Sequence, residues 1–270
     1  MRIRVVIAPS RNGLRTSSQE FVMSQVSRRD FHQQTLGSLL TWSLLETLFT
    51  RDAFSKELKP LTAMWLADLN AWSLDLKGKK LEALQWQEKV EELYATVDLQ
   101  DLLKFIDFEK LSKNIKPIER GEVSLRPTLP KVAGLPTELV FGHQVFALKQ
   151  GRSVAPHGHD NMATAFLILK GEFHGRHYDR LEDKADHMII TPTIDRDFGP
   201  GGCSTVTDIK DNVHWFKAKT DEAFIFNIHV MSVNPGRTGR IYIDPDGEKL
   251  AGGKIKARKI DHIEANKLYG

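Results

Sequence analysis

The hydrophobic pattern of this chain changes period near residue 117, and that change leaves few architectures open. Before it, Leu36, Leu39, Leu40, Trp42, Leu44, Leu45 and Leu48 recur at helical spacings. Leu81, Leu84, Trp86, Val90, Leu93 and Tyr94 repeat at three and four, which puts their side chains on one helix face. Lys77-Gly78-Lys79 reads as a helix break. Asp98 reads as the N-cap of a third amphipathic helix through Leu102, Leu103, Phe105, Ile106 and Phe108. Trp42, Trp65, Trp72 and Trp86 are expected to be core anchors. From Leu139 onward the period falls to two. Val140, Gly142, Gln144 and Phe146 alternate with Phe141, His143, Val145 and Ala147. Residues 163–169, 172–178, 187–191, 204–207, 213–217 and 223–233 read as further strands. Turn residues punctuate them at 149–151, 170–171, 199–202 and 244–247. Many short strands so spaced predict an antiparallel sandwich or barrel.

The expected class is therefore α+β, a single antiparallel β-barrel preceded by a helical N-terminal region. Pro117, Pro127, Pro130 and Pro136 mark a linker or an extended edge between the two. The expected divisions are an extension at 1–30, a helical region at 31–116, a proline-rich linker at 117–136, the barrel at 137–245 and a tail at 246–270. The tail is expected to hold a short helix through Ile263 to Leu268.

Bulk properties exclude several classes. The net charge is +3, and the densest basic stretch, 254–259, has no interleaved aromatics for base stacking, so nucleic acid is not an expected partner. No run approaches the roughly 20 apolar residues of a membrane helix. The single cysteine, Cys203, rules out an intrachain disulfide and reads as a small loop or strand residue. Ser27-Arg28-Arg29-Asp30-Phe31, ahead of a moderately apolar stretch at 35–49, resembles the start of a twin-arginine export signal. Met23 as a start would bring those arginines close to the N-terminus. His32, Gln33 and Glu46, with no Ala-x-Ala site following, fit an ordinary amphipathic helix instead. A cytoplasmic and an exported protein both stay open.

The chemistry concentrates in Pro156-His157-Gly158-His159 and in Asn212-Val213-His214-Trp215-Phe216. Histidines at i and i+2 on a strand share a face. A third imidazole from a later strand can close a facial site, with His157, His159 and His214 as the metal ligands. Three neutral imidazoles with open positions suit iron, zinc, nickel or copper. No Gly-x-Ser-x-Gly, Walker loop or dinucleotide fingerprint is present. His174 has a strand position suited to orienting a ligand or substrate, whereas His177 and His187 read as surface residues. Asn227 and His229 share one strand face and Phe224, Phe226 and Ile228 the other. If the polar face lines the barrel, Asn227 and His229 belong to the pocket. The 238–247 segment reads as a structural hairpin.

Gly151-x5-His157-x-His159, with Gly171 at the next turn, resembles the first cupin motif, and His214 stands where the second motif places its histidine. The resemblance implies a cupin-type double-stranded β-helix. Many cupins carry a glutamate where this chain has Ala163 and Thr164, so the implied site is three-histidine. Within that group, 157–164, 169–179 and 212–227 resemble the motifs of the cysteamine dioxygenase and plant cysteine oxidase family. That likeness covers about residues 140–233. It implies a non-haem iron(II) centre acting on a small thiol with dioxygen, with Tyr178 close to the substrate. Asn227 replaces an aspartate and Arg180 a tryptophan of that family. An amide at 227 implies a substrate without a free ammonium there. A cupin that binds a metal or small ligand without turnover, or an isomerase or hydrolase using another metal, remains the alternative.

Overall fold

The computed structural model describes residues 61–113, 115, 116 and 118–270. The twin-arginine run and the helical repeat with Trp42 lie outside these residues. Four helices come first: α1 (Leu61–Lys77), α2 (Ala83–Ala95), α3 (Leu99–Phe105) and α4 (Phe108–Leu111). The break expected at 77–79 ends α1. Asp98 caps α3, its carboxylate accepting from the Asp101 N–H at 3.0 Å. No described helix is long and apolar enough to cross a membrane.

The strands β1 (Val123–Leu125), β2 (Gly142–Leu148), β3 (Ser153–Asp160), β4 (Met162–Lys170), β5 (Phe173–Asp183), β6 (His187–Phe198), β7 (Cys203–Val206), β8 (Val213–Ala218), β9 (Ala223–Met231), β10 (Gly239–Lys249) and β11 (Ile255–Ile260) follow, with α5 (His262–Tyr269) last. Their pairing is nested. β5 pairs with β6, β4 with β7, β3 with β8 and β2 with β9, each antiparallel. This is a ribbon folded in half and wound on itself, the double-stranded β-helix of a cupin. One sheet runs β1-β2-β9-β4-β7. The other holds β3, β8, β5 and β6, and β10 and β11 close it into a six-stranded ring. The expected α+β class and antiparallel barrel are what the chain forms.

The proline-rich stretch takes the extended-edge alternative over part of its length, contributing β1, which pairs with β2 as an edge strand. Two segments differ from expectation. Residues 244–247 do not turn: a register shift between Asp244 and Glu248 absorbs them as a bulge inside β10. The expected C-terminal tail is structural, because β11 pairs with both β10 and β6.

The layers give three packed regions. Trp65, Leu66, Leu69, Trp86, Val90, Tyr94 and Leu102 pack the helices on Val145, Ala165, Leu167, Phe226 and Ile228, the outward face of the first sheet. Trp65 and Trp86 are thus core anchors, and Trp72 is a partly buried neighbour. Between the sheets lie Phe146, Phe166, Phe173, Phe198 and Phe216. Inside the six-stranded ring lie Tyr178, Met188, Ile190, Val213, Ile243, Ile255 and Ala257. Each large apolar side chain so buried contributes about 1.5–3 kcal/mol.

Candidate metal centre

His157 and His159 sit on β3 and His214 on β8. His157 and His214 are cross-strand partners, and such partners share a sheet face. A register shift between Val154 and His157 keeps that pairing in phase. All three side chains are buried, at 2%, 2% and 1% exposure. One ring nitrogen from each lies within 4.8 Å of the others. The Nε2 atoms of His157 and His159 are 3.1 Å apart.

The opposite edge of each ring is tied. His157 Nδ1–H donates to the Ala155 carbonyl at 2.8 Å, and His214 Nδ1–H to the Asn212 carbonyl at 3.3 Å. His159 Nδ1 meets the Thr164 hydroxyl at 3.1 Å. A carbonyl only accepts, so His157 and His214 carry their protons on Nδ1 and turn Nε2 lone pairs inward. Burial pushes the pKa of His157 and His159 well below the usual histidine range, with the His214 ring and the Arg240 charge acting the same way. Burial takes His214 to about 3. Neutral imidazoles with converging lone pairs and anchored Nδ1 atoms fit a divalent cation. Without a cation, only a proton on His159 Nε2 would relieve the lone-pair contact at 3.1 Å.

The backbone leaves no slack around this group. A Cβ on Gly158 would meet Asn212 Oδ1 at 2.7 Å and Val213 Cγ2 at 3.2 Å. Asn212 Nδ2 donates to the carbonyls of His159, at 2.8 Å, and Thr207, at 3.1 Å. That clamp holds the strand of His159 to the segment entering β8.

Other expected site residues fall differently. Asn227 is buried, its Cα opposite Phe166 on β4 and Gln144 on β2, and its Oδ1 has no partner among the described residues. Phe224, Phe226 and Ile228 face the helices, so Asn227 and His229 lie on the face that lines the barrel. His229 packs against Gly142, where a Cβ would come 2.5 Å from Nε2. Burial first, then the charge of Arg240, takes its pKa to about 4.

Tyr178 is not beside the three histidines. It packs with Met188, Ile190 and Val213 inside the ring, because strand alternation turns it away from the face His177 occupies. His174 is a second correction. It lies on the outer surface, with Nδ1 2.8 Å from Asp197 and Nε2 2.6 Å from Asp195. His177, expected at the surface, is wholly buried, with its ring 6.2 Å from that of His214 and 5.4 Å from that of Phe216. Phe173, Gly175 and His177 share a face, and the apolar Phe173 was the signal for it. His187 is half-buried and bonds Asp186 at 2.8 Å. Arg180 forms an ion pair with Asp160 at 2.7 Å. The sequence reading also missed Arg240 and Tyr242, the cross-strand partners of His159 and His157. Their alternation with Ile241 and Ile243 was the available sign of a strand.

No protein-family model matches the chain, and no curated protein matches it. A conserved protein with a double-stranded β-helix domain from Klebsiella pneumoniae is 17% identical over 49% of this chain and 87% of its own, with a TM-score of 0.32. A cupin superfamily protein from Desulfitobacterium hafniense is 18% identical over 43% and 84%, with a TM-score of 0.28. An 11S globulin from Wrightia tinctoria is 10% identical over 38% of this chain, with a TM-score of 0.29, and the match spans 22% of that globulin. The nested strand pairing, rather than these likenesses, defines the fold. Fold and site together describe a cupin-type barrel with a buried three-histidine group able to hold a metal.

Proposed function

We propose that this protein is a metal-dependent cupin oxygenase, whose three-histidine centre holds iron(II) and which oxidises a small thiol or related substrate with dioxygen. The observation that carries the reading is the donor set. Three buried, neutral imidazoles converge, and among the described residues no carboxylate joins them in the group. Where many cupins carry glutamate, Ala163 is buried and Thr164 steadies His159. Bound iron would supply redox chemistry and coordination positions left open by the three imidazoles.

The chain's own residues set the surroundings. The Nδ1 contacts of His157, His159 and His214 fix ring orientation. Asn227 offers an unpartnered Oδ1 on the barrel-lining face, able to accept from a substrate N–H or O–H. As an amide it lacks charge, so a substrate ammonium would forgo a charge-assisted bond worth roughly 1.5–3 kcal/mol. Weak activity on cysteamine is expected on that ground. Asn227→Asp should shift relative rates toward amine thiols; unchanged relative rates would remove Asn227 from substrate selection.

A second reading, in which the site binds a metal or small ligand without turnover, is favoured by one observation. The cavity beside His157 is only about 10 Å³, roughly room for one water. Oxygen-electrode measurements on tag-free, iron-loaded protein separate the two. Oxygen uptake with a small thiol, lost in His157→Ala, supports the oxygenase. Ligand-dependent stabilisation without uptake selects the binding reading. Metal analysis of the same protein separates iron from zinc, nickel and copper.

A further inference from the structure

The helical layer reaches the histidine group through one chain of side-chain bonds. On α2, Gln87 and Glu91 stand four residues apart and share a helix face. That face meets β7. Gln87 Nε2 donates to the Thr205 carbonyl at 3.1 Å and to Thr205 Oγ1 at 3.2 Å. Thr205 Oγ1 donates in turn to Glu91 Oε1 at 2.6 Å. Thr207 Oγ1 donates to Gln87 Oε1 at 2.8 Å. Gln87, Thr205 and Thr207 are all buried. An amide in an apolar helix–sheet layer costs free energy unless it is bonded, and here both of its ends are bonded to one short segment of the barrel.

That segment leads to the ligands. Thr207 opens the turn from β7 to β8. Its N–H donates to the Lys210 carbonyl at 3.1 Å, and its hydroxyl accepts from the N–H groups of Ile209 at 3.3 Å and Lys210 at 3.4 Å. The Thr207 carbonyl accepts from Asn212 Nδ2. The same Nδ2 holds the His159 carbonyl, and the Asn212 carbonyl holds His214 Nδ1. Asp208, in the same turn, accepts from the Asn161 N–H at 2.9 Å, two residues past His159. Gln87 is thus linked to His159 and His214 through two residues, Thr207 and Asn212.

We propose that Gln87 is a positioning residue of the metal centre. Through Thr207 and Asn212, α2 sets the spacing of the β3 backbone at His159 from the entry to β8, and with it the ring angle of His214. The helical layer is in this way part of the site, although the three ligands all lie on strands. The proposal rests on the three-histidine metal site and not on the oxidation proposed there.

The test uses the full-length protein. Gln87→Met removes the amide and keeps most of its volume. Thr207→Val removes the hydroxyl and keeps its shape. Val90→Ala, three residues on in the same helix and buried in the apolar layer, loosens packing without touching the chain of bonds. Cobalt(II) is the probe: its visible absorption reads ligand geometry, and competition with a chelator reads affinity. Gln87→Met and Thr207→Val should each shift the cobalt bands and weaken binding about tenfold. The double variant should lose little more, because both changes break one path. Thr207→Ser, which keeps the hydroxyl, should restore wild-type bands. Val90→Ala should lower the urea midpoint and leave the bands in place. Wild-type bands and affinity in Gln87→Met, or the same displacement in Val90→Ala, would overturn the proposal. If wild type takes up no metal, the metal reading fails by itself and nitrogen-15 NMR of the imidazoles in metal-free protein decides the positioning. Gln87→Met should then move the His159 and His214 ring signals and leave that of His174 in place; unmoved His159 and His214 signals would overturn it.

Discussion

The two faces of the strands β3, β8 and β5 have different jobs. One face carries His157, His159, His214 and His177 into the space between the sheets, beside Phe166 and Phe216. The other carries Val213 and Tyr178 into an apolar core closed by β10 and β11. The two sets are one residue apart along each strand. The comparison teaches that here chemistry is assigned by parity, and that neighbours in sequence can belong to separate interiors. The apolar face fixes the strands so that the polar face can hold unprotonated imidazoles.

The largest expected effect tests the cost of the polar face. The buried histidines have folded-state pKa values below the unfolded value of about 6.5, with His214 at about 3. As pH falls below about 6.5 the unfolded chain takes up protons that the folded, metal-free chain refuses. Stability is therefore full above about pH 6.5 and declines toward pH 3, by about 1.4 kcal/mol per pH unit for each histidine involved. Urea unfolding of metal-free protein at several pH values should give a slope above one proton. A flat profile would mean that the four imidazoles are not held neutral.

A smaller effect tests the joint between the faces. Gly158→Ala pushes a methyl against Asn212 and Val213 and should cost about 1–3 kcal/mol. The same change should weaken metal uptake, because Gly158 lies between two of the three histidines. A stable variant with unchanged metal affinity would show that the two interiors are independent of each other at Gly158.

Next in size is the tie on His159. Thr164→Val removes the hydroxyl at 3.1 Å from Nδ1 and should lower metal affinity about 10- to 100-fold. Competition with a chromophoric chelator measures it. The smallest effect is expected from Tyr178→Phe. The ring stays in its apolar core, so metal affinity and any oxygen uptake should stay within about threefold of wild type. A large loss of uptake with normal stability would return Tyr178 to the site.

Much of this was legible in the residues. The switch of period announced helices followed by an antiparallel barrel. His157, His159 and His214 were legible because i, i+2 spacing and a later strand histidine obey parity alone. Parity also left Asn227 and His229 as a pair, but which face was inside stayed open until the helices were seen to pack on Phe224, Phe226 and Ile228. What failed was the choice of face on β5. His174 and His177, three apart, lie on opposite faces of a strand that runs in regular register with β8, and each was assigned to the wrong one. The second core was hidden because β10 read as a hairpin around Pro245 and Gly247, and β11 as part of a polar tail. A bulge accommodates both residues without ending the strand. Arg240 and Tyr242 were missed for the same reason.

The central claim is that His157, His159 and His214 form one metal site. Its most direct test is metal content, measured by plasma emission on tag-free protein purified side by side as wild type, His214→Ala and His174→Ala. The account predicts a single bound divalent ion in wild type, retained in His174→Ala and lost in His214→Ala while the far-ultraviolet circular dichroism of all three agrees. Equal metal in wild type and His214→Ala, or none in folded wild type after incubation with iron(II), zinc, nickel or copper, would contradict it.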